Sequence, residues 1–197
     1  MIKSIFPTFL HESVDDVARK LLGCVLEREL DGYCIRLRIV ETESYDEDDE
    51  ASHAFGGMTK RNHVMFGGAG HLYVYFTYGL HYCCNIVTGE PGYGSGVLIR
   101  AGEPIEGIEL LERRRGKVGI NVTNGPAKLA AALGIDFALS GHDLQKSPLR
   151  LVAGMLRSNE RITTSPRIGI SRAKDVHRRY YIQNNPYVSH QKIRRKP

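Results

Sequence analysis

Tryptophan is absent from this sequence, cysteine is scarce, and no long hydrophobic run occurs. The cysteines are Cys24, Cys34, Cys83 and Cys84, and their spacing is neither that of a zinc finger nor C-x-x-C. This pattern predicts small buried residues in a reducing compartment, without a metal site. The N-terminal stretch MIKSIFPTFL holds only a short apolar stretch, which Pro7 interrupts, so we expect neither a signal peptide nor a membrane span.

The charge balance is modestly basic. Lysine and arginine number 27 against 22 aspartates and glutamates, which gives a net charge of +5 and a pI of about 9.0. A basic excess suits a polyanionic partner, but a soluble basic enzyme with another substrate would show the same excess. The composition, 42% hydrophobic and 25% charged, is that of an ordinary globular protein.

The length of 197 residues is enough for one domain with a full core and too short for two of the usual size. No internal repeat, low-complexity tract or linker divides the sequence. We therefore predict a single domain over residues 1–197. The basic tail at residues 190–197 is expected to be mobile, because it carries charge and little apolar surface to bury.

Hydrophobic periodicity and turn residues predict a mixture of strands and helices. The predicted strands are residues 24–30, 33–43, 72–76, 82–88, 96–101, 150–152 and 167–170. The predicted helices are residues 13–22, 104–114 and 124–134. Residues 46–70 are polar and rich in glycine, which is typical of a long functional loop. Together these elements predict an α+β fold around an antiparallel sheet.

Two carboxylates lie at the end of one apolar strand face. Side chains alternate along a strand, so Glu41 and Glu43 share a face with Ile35, Leu37 and Ile39. Carboxylates at the end of such a row are costly unless they are paired or placed for chemistry. The alternative is a strand end that reaches solvent.

A tyrosine-rich segment follows at residues 72–82 and reads as a β-hairpin. Tyr73 and Tyr75 lie on one face of its first strand, and Tyr78 falls at the turn. The preference of tyrosine for strands explains the first two residues but not Tyr78, which gains little burial at a tip. An exposed aromatic at a hairpin tip can enter a base stack as a wedge, and an aromatic face can stack on an extruded base.

Three further polar residues are candidates for the same site. His53 lies in the long loop, Asn85 on the second strand of the hairpin, and Arg100 at the end of an apolar run that predicts a carboxylate partner. The segments 59–62 and 124–128 can offer phosphate contacts. Each signal alone also fits a surface histidine, a satisfied buried amide or an ordinary capped helix.

Together these motifs resemble the alkyladenine (3-methyladenine) DNA glycosylase family. The stretches that carry the resemblance are residues 38–45 (RIVETESY), 51–53 (ASH), 61–62 (RN), 65–67 (MFG), 73–79 (YVYFTYG), 84–85 (CN), 97–104 (VLIRAGEP), 124–129 (NGPAKL) and 166–170 (PRIGI). They occur in the family's order and span about residues 10–190. No single piece is specific, but the set is.

The resemblance implies a catalytic mechanism. The catalytic glutamate of the family falls on Glu43 and its helper arginine on Arg100. Glu43 would deprotonate a water held with Arg100, and this water would attack the sugar carbon of a damaged nucleotide. The matching motifs offer no lysine for a Schiff base, so we expect a monofunctional DNA glycosylase without lyase activity, cofactor or metal.

The resemblance also implies how the damaged base is held. Tyr45 and Tyr75 would enclose the flipped purine, with His53 at its edge. Tyr78 would intercalate into the DNA stack. Asn85 would crowd the amino group of guanine and so select against the normal base.

The fold of the family resembles the C-terminal domain of methionyl-tRNA formyltransferase. It implies a curved antiparallel β-sheet with surrounding helices and a protruding β-hairpin. The implied substrates are purines of the 3-methyladenine, 7-methylguanine, hypoxanthine and ethenoadenine class in double-stranded DNA. Their excision by a monomer would leave an abasic site for base excision repair. We expect an intracellular protein, in the cytoplasm and nucleoid of a bacterium or the nucleus of a eukaryote.

The sequence departs from the family pattern in two places. Residues 46–50 are the acidic run DEDDE, in a loop whose length varies in the family. Thr77, Leu80 and His81, near the hairpin tip, fall on variable family positions. The loop departure bears on the position of His53, and the departures near the hairpin tip affect lesion preference and not the reaction.

Two other functions fit parts of the sequence. Aromatic and basic residues also serve a non-catalytic DNA- or RNA-binding module, which would release no base from alkylated DNA. Glu41 and Glu43, about 6.6 Å apart along a strand, also fit the carboxylate pair of an inverting carbohydrate hydrolase. The lack of tryptophan argues against a sugar-binding site, and an assay on simple glycosides tests it.

Overall fold

The computed structural model describes residues 5–189. Its strands are β1 (Val25–Leu30), β2 (Tyr33–Tyr45), β3 (Leu72–Thr77), β4 (His81–Val87), β5 (Gly96–Glu106), β6 (Leu149–Val152), β7 (Ile162–Ser165) and β8 (Arg179–Ile182). Its α-helices are α1 (Val14–Lys20), α2 (Ile108–Arg115) and α3 (Pro126–Ala132). Short 3₁₀ helices occupy Phe9–His11, His63–Phe66, Gly119–Val122 and Phe137–Leu139. The tail at residues 190–197 lies outside the described residues.

The described strands form one sheet, and their pairings are antiparallel. The order is β3-β4-β5-β2-β1-β6, and β8 pairs with both β2 and β7. The architecture is therefore α+β, a curled antiparallel sheet with few helices, and this part of the fold prediction is confirmed.

Strand β2 is the longest of the sheet, with 13 residues, and it organises the strands around it. β5 pairs along one of its edges, while β1 and β8 share the other edge, β1 at the first half and β8 at residues 41–43. Residues 41–43 are consequently flanked by strands on both sides, and all three are 0% exposed. The alternative of a strand end in solvent is wrong for Glu41 and Glu43.

Local signals account for several elements. The side chain of Ser13 caps α1 by accepting a hydrogen bond from the Asp16 backbone N–H at 3.3 Å. Asp31 and Gly32 both have positive φ, 52° and 78°, which is the geometry that a two-residue hairpin turn between β1 and β2 requires. Pro126 lies in the first turn of α3, where its missing N–H is not needed.

The helix predicted from Pro104 begins too early. β5 continues through Pro104 to Glu106, because β2 is long enough to pair with it as far as Arg36. Gly107, with φ of 75°, then turns the chain and α2 begins at Ile108. A proline reads locally as a helix start, but here the distant strand partner decides the conformation.

The strand predicted at residues 167–170 is wrong, and the strands β7 and β8 on either side of it were missed. The Ile168 backbone N–H donates to the side chain of Glu43 instead of to a neighbouring strand. Gly169 has φ of 82°, which bends the chain away from an extended path. This segment serves the candidate site rather than the sheet.

The hydrophobic core has two parts. The larger cluster packs α1, α2 and α3 against the sheet. A smaller cluster lies beneath the loop 46–70 and joins it to β3 and β4; its buried members are Ala54, Met65, Phe66, Tyr73 and Val87. Burial of these side chains fixes the loop beside the hairpin. Cys24, Cys83 and Cys84 are buried and Cys34 is exposed, all as free thiols.

Candidate active site

A cavity of about 480 Å³ opens between the β3–β4 hairpin, β5, the loop 46–70 and residues 168–172. Of the seven site residues expected from the resemblance, six line this cavity: Tyr45, His53, Tyr75, Tyr78, Asn85 and Arg100. The seventh, Glu43, lies directly behind its wall, hydrogen-bonded to Tyr45 and Arg100. The fold thus brings together residues separated by up to 57 positions in the sequence.

Glu43 is fully buried, and among the described residues it accepts hydrogen bonds from three donors. Its Oε2 accepts from Arg100 Nη1 at 3.1 Å and from the Tyr45 hydroxyl at 2.9 Å. Its Oε1 accepts from the Ile168 backbone N–H at 2.8 Å. Donors of this kind compensate for the loss of water around a buried carboxylate.

Glu41 is equally buried but has more partners. Its Oε1 accepts from Arg100 Nε at 2.8 Å, from Arg179 Nε at 2.7 Å and from Ser189 Oγ at 2.7 Å, and its Oε2 accepts from the Ser189 backbone N–H at 2.6 Å. Burial raises the pKa of Glu41, but the charges of Arg100 and Arg179 outweigh it and leave the pKa below its ordinary value. Glu41 is not among the residues that line the cavity.

Arg100 bridges the two carboxylates, as its position at the end of an apolar run predicted. Its side chain is 6% exposed and its remaining Nη2 donates to Ser189 Oγ at 3.3 Å. Burial lowers the pKa of Arg100, but the charges of Glu43 and Glu41 raise it by more, so the guanidinium is firmly protonated. One cation therefore serves two anions, and Arg179 supplies the second positive charge.

Aromatic rings form another part of the cavity wall. The ring of Tyr75 packs against Tyr73, with centroids 5.8 Å apart and planes at 25°, and His53 meets Tyr75 edge-on at 4.6 Å. His53 Nδ1 lies 3.0 Å from the Tyr73 hydroxyl. The loss of water around this ring and the positive charge of Arg61 both lower the pKa of His53, which favours a neutral imidazole.

The long loop is held in place by Asn62, a member of the segment 59–62. Asn62 is 2% exposed, and its Nδ2 donates to the backbone oxygens of His53 and Gly57 at 2.7 and 3.1 Å. The Asn62 amide is thus used inside the protein, and the phosphate contacts expected of segment 59–62 stay a prediction for its other residues. Lys60 and Arg61, in the same segment, are exposed.

Sequence reasoning missed several residues that hold the site. Arg179 and Ser189 fill the acceptors of Glu41, and Arg167 places its guanidinium 4.7 Å from the centre of the Tyr45 ring. Residues 166–170 were noted as part of the resemblance, but without a role for Arg167. For Arg179 and Ser189 no local signal exists, because each contact depends on where the chain returns after more than 130 residues.

The sequence matches the family model for methylpurine-DNA glycosylase (MPG) over residues 8–186, nearly the whole chain. The chain belongs to the methylpurine-DNA glycosylase family. The resemblance seen in the sequence is thereby confirmed. As a member of the family the protein is a DNA glycosylase, a hydrolase of N-glycosyl bonds in DNA repair, and the carbohydrate hydrolase and the non-catalytic module are set aside.

Relatives cover almost all of the chain. A protein of Carboxydothermus hydrogenoformans is 50% identical over 175 residues, which are 88% of this chain and 92% of the relative. A protein of Chlorobaculum tepidum is 48% identical over 176 residues, 88% and 84% of the two chains. A protein of Methanoculleus marisnigri is 43% identical over 185 residues, 92% and 96% of the two chains. Each of the three carries the name "Putative 3-methyladenine DNA glycosylase".

Within residues 5–189 no helix is both long and apolar enough to cross a membrane. In the same part of the chain, no three side chains of His, Cys, Asp or Glu converge in an arrangement that could hold a metal ion.

Proposed function

We propose that this glycosylase removes alkylated and deaminated purines from double-stranded DNA by flipping the base into the cavity and hydrolysing its N-glycosidic bond. The substrate class comprises 3-methyladenine, 7-methylguanine, hypoxanthine and ethenoadenine. One observation carries the proposal: Glu43 and Arg100 form a buried ion pair at the wall of a cavity of about 480 Å³ that aromatic rings enclose. A cavity of this size suits a planar, drug-sized ligand such as a purine.

Base flipping is needed because the target bond is inaccessible within a duplex. Extrusion costs a few kcal/mol, least for a damaged or mispaired base. Tyr78 is 81% exposed at the hairpin tip, where it can fill the gap left in the stack. Tyr45 and Tyr75 would stack on the flipped purine with His53 at its edge, and Asn85 would crowd the amino group of a normal guanine.

The chemistry requires a water between Glu43 and the sugar. Among the described residues Glu43 Oε1 accepts one hydrogen bond, from Ile168, so one of its two lone pairs is free for this water. Glu43 takes the water proton while the water oxygen bonds to the anomeric carbon and the bond to the purine nitrogen breaks. The purine leaves with the electron pair, and positive charge on the sugar ring in the transition state is stabilised by the carboxylate.

The leaving purine sets a second requirement. A purine methylated at N3 or N7, as in 3-methyladenine or 7-methylguanine, already carries a positive charge and leaves as a neutral base. A neutral purine such as hypoxanthine must gain a proton as it leaves. None of the described residues that line the cavity is a lysine, which supports a monofunctional enzyme that makes no Schiff base and leaves an intact abasic strand.

Other features of the proposal rest on the resemblance. They are a monomer that acts without cofactor or metal, a single domain over residues 1–197, and a fold akin to the C-terminal domain of methionyl-tRNA formyltransferase. The intracellular location also stays a prediction.

Base release from a panel of duplexes tests the proposal. Each duplex carries one lesion of the class above, and an undamaged duplex of the same sequence serves as the control. We expect release of the free lesion base. Strand breaks should appear only when the enzyme-treated duplex is afterwards treated with alkali. Lesion binding without base release would refute the function, and strand breaks without alkali would refute the absence of lyase activity.

A further inference from the structure

The acidic run at residues 46–50 is an unexpected feature beside a site that must accept a polyanion. Two of its carboxylates do not face solvent: Asp46 and Asp49 are each 7% exposed. Arg167 donates to both oxygens of Asp49, through Nη1 to Oδ2 and through Nη2 to Oδ1 at 3.0 Å. The side chain of Arg167 is 0% exposed, so this pair is buried and bidentate.

The Arg167 guanidinium also contacts β2, the strand that carries Glu43, the proposed general base. It lies over the ring of Tyr45, 4.7 Å from the centroid, and its Nη1 also donates to the Ser44 backbone oxygen at 3.0 Å. The next residue, Ile168, donates its backbone N–H to Glu43. Arg167 and Ile168 therefore touch three consecutive residues of β2, at positions 43, 44 and 45.

The charges in this cluster are compensated. Burial raises the pKa of Asp49, but hydrogen bonds from Arg167 and from the Ala51 backbone outweigh it and hold the pKa below its ordinary value. Arg178 adds an outer contact, with Nη2 at 2.9 Å from Asp46 and Nη1 at 3.5 Å from Asp49. The acidic loop is thus fastened to the protein by two arginines.

Arg167 lies behind the cavity wall. Tyr45 lines the cavity and Arg167 does not, and the Arg167 side chain is 0% exposed, so the guanidinium packs on the Tyr45 ring from within the protein. Tyr45 itself remains part of the cavity lining. A ring fixed in this way loses no conformational entropy when a base binds. More of the favourable stacking free energy then offsets the cost of extruding the base.

We propose that the Asp49–Arg167 ion pair is a positioning device for base excision. It fixes the Tyr45 ring as a rigid wall of the base pocket and the Ile168 amide against Glu43. Arg167 is a positioning residue, since it acts through Tyr45 and Glu43. The proposal rests on the proposed function, because it assumes that a flipped base stacks on Tyr45.

The test compares Arg167→Met with Arg38→Met. Arg38 is a matched control: it is 5% exposed, makes a bidentate pair with Glu160, and is not part of the cavity wall. We expect both variants to lose thermal stability. Single-turnover excision should slow about 10- to 100-fold in Arg167→Met and stay near the wild-type rate in Arg38→Met. Binding of undamaged duplex should be unchanged in both.

A conservative variant separates geometry from charge. Arg167→Lys keeps the positive charge but loses the planar fork and its stacking on Tyr45, so excision should stay slow. If excision in Arg167→Lys recovers to the wild-type rate, charge alone suffices and the positioning role is wrong. Arg167→Lys also serves if Arg167→Met does not fold.

A direct readout of the ring uses the absence of tryptophan from the chain. In a Tyr45→Trp background the new side chain is the sole tryptophan, and its quenching by acrylamide reports how well it is held. Quenching should increase when Arg167→Met is added and not when Arg38→Met is added. Equal increases in both, or an Arg167→Met enzyme that excises at the wild-type rate, would overturn the proposal. A wild-type enzyme that releases no base would instead refute the proposed function.

Discussion

At the scale of single residues, Glu43 and Glu41 share Arg100 but differ in whether a carboxylate oxygen can still accept a hydrogen bond from water. Glu43→Gln keeps the shape of the side chain and removes the proton acceptor. We expect this variant to fold, to bind lesion DNA nearly normally, and to excise at least about 100-fold more slowly, the usual cost of losing a general base. Single-turnover excision with enzyme in excess measures the chemical step.

Glu41→Gln is the matched control for this prediction. Arg179 and Ser189 already occupy the oxygens of Glu41, so its contribution is to hold Arg100 rather than to take a proton. We expect a smaller loss of rate than in Glu43→Gln. If Glu41→Gln is the inactive enzyme and Glu43→Gln is active, the assignment of the base is wrong even though the family is right.

Glu41 also makes a prediction about acid stability. Its pKa is lowered in the folded protein, so its stabilising contribution is complete above the unfolded value of about 4.3 and is lost as the pH falls through the folded value. The free energy of unfolding should therefore fall less steeply on acidification in Glu41→Gln than in the wild type. Denaturant unfolding between neutral and acidic pH measures the slope.

The control for acid stability is Glu109→Gln. Glu109 is exposed on α2, so its replacement should leave the pH dependence of the wild type in place. If the free energy of unfolding falls with pH as steeply in Glu41→Gln as in Glu109→Gln, the partners of Glu41 do not stabilise the fold through its charge.

The sequence allowed part of this arrangement to be predicted. The alternation of side chains in β2 placed the two glutamates on one face, and the apolar run before Arg100 required a carboxylate nearby. The difference between the glutamates was not predictable from local pattern. It depends on Arg179 and Ser189 for Glu41 and on Ile168 for Glu43, and these partners come from the last third of the chain.

At the scale of elements, the β3–β4 hairpin presents Tyr78 at its tip with φ of 53°. Tyr78→Ala should leave thermal unfolding unchanged, because a side chain that is 81% exposed contributes little to the core. Excision of a lesion in a stable base pair should be slower, since the gap in the stack is no longer filled. Excision of the same lesion in a mispair should suffer less, because extrusion then costs less.

Tyr33 provides the control, as a tyrosine 56% exposed beside the other hairpin turn, outside the cavity. Tyr33→Ala should leave both stability and excision at their wild-type values. If Tyr78→Ala excises a paired lesion as fast as Tyr33→Ala does, Tyr78 is not the wedge.

Elements with local signals were predicted, and elements defined by distant partners were not. Both hairpins, α1 and α3 follow from turn residues and caps that act within a few positions. β5 extends past Pro104 because β2 offers a partner there, and residues 167–170 leave the sheet because Glu43 takes the Ile168 amide. β7 and β8 were missed for the same reason: they are short, and their pairing with one another and with β2 defines them.

At the scale of the whole molecule, the basic excess must be divided between internal pairs and the surface. Arg38, Arg100, Arg167 and Arg179 are buried and bonded to carboxylates, so they contribute little to an external field. The arginines and lysines that remain exposed carry the attraction to a polyanion. Among them Arg172 is exposed at the rim of the cavity, where a DNA strand would pass.

Binding to duplex DNA should therefore depend steeply on salt. Each phosphate neutralised contributes about 0.9 to the slope of log K against log salt concentration, so affinity should fall strongly between about 50 and 200 mM salt. Arg172→Gln should lower this slope by about one unit, because it removes one phosphate contact at the rim. Arg113→Gln is the control, because Arg113 is also exposed but lies on α2, outside the cavity. The salt dependence of duplex binding by Arg113→Gln should have the same slope as that of the wild type. Salt-independent binding would contradict a phosphate-contacting surface. An equal loss of slope in both variants would show that this surface is not centred on the cavity. The slopes are measured by titrating duplex affinity against salt concentration with fluorescence anisotropy.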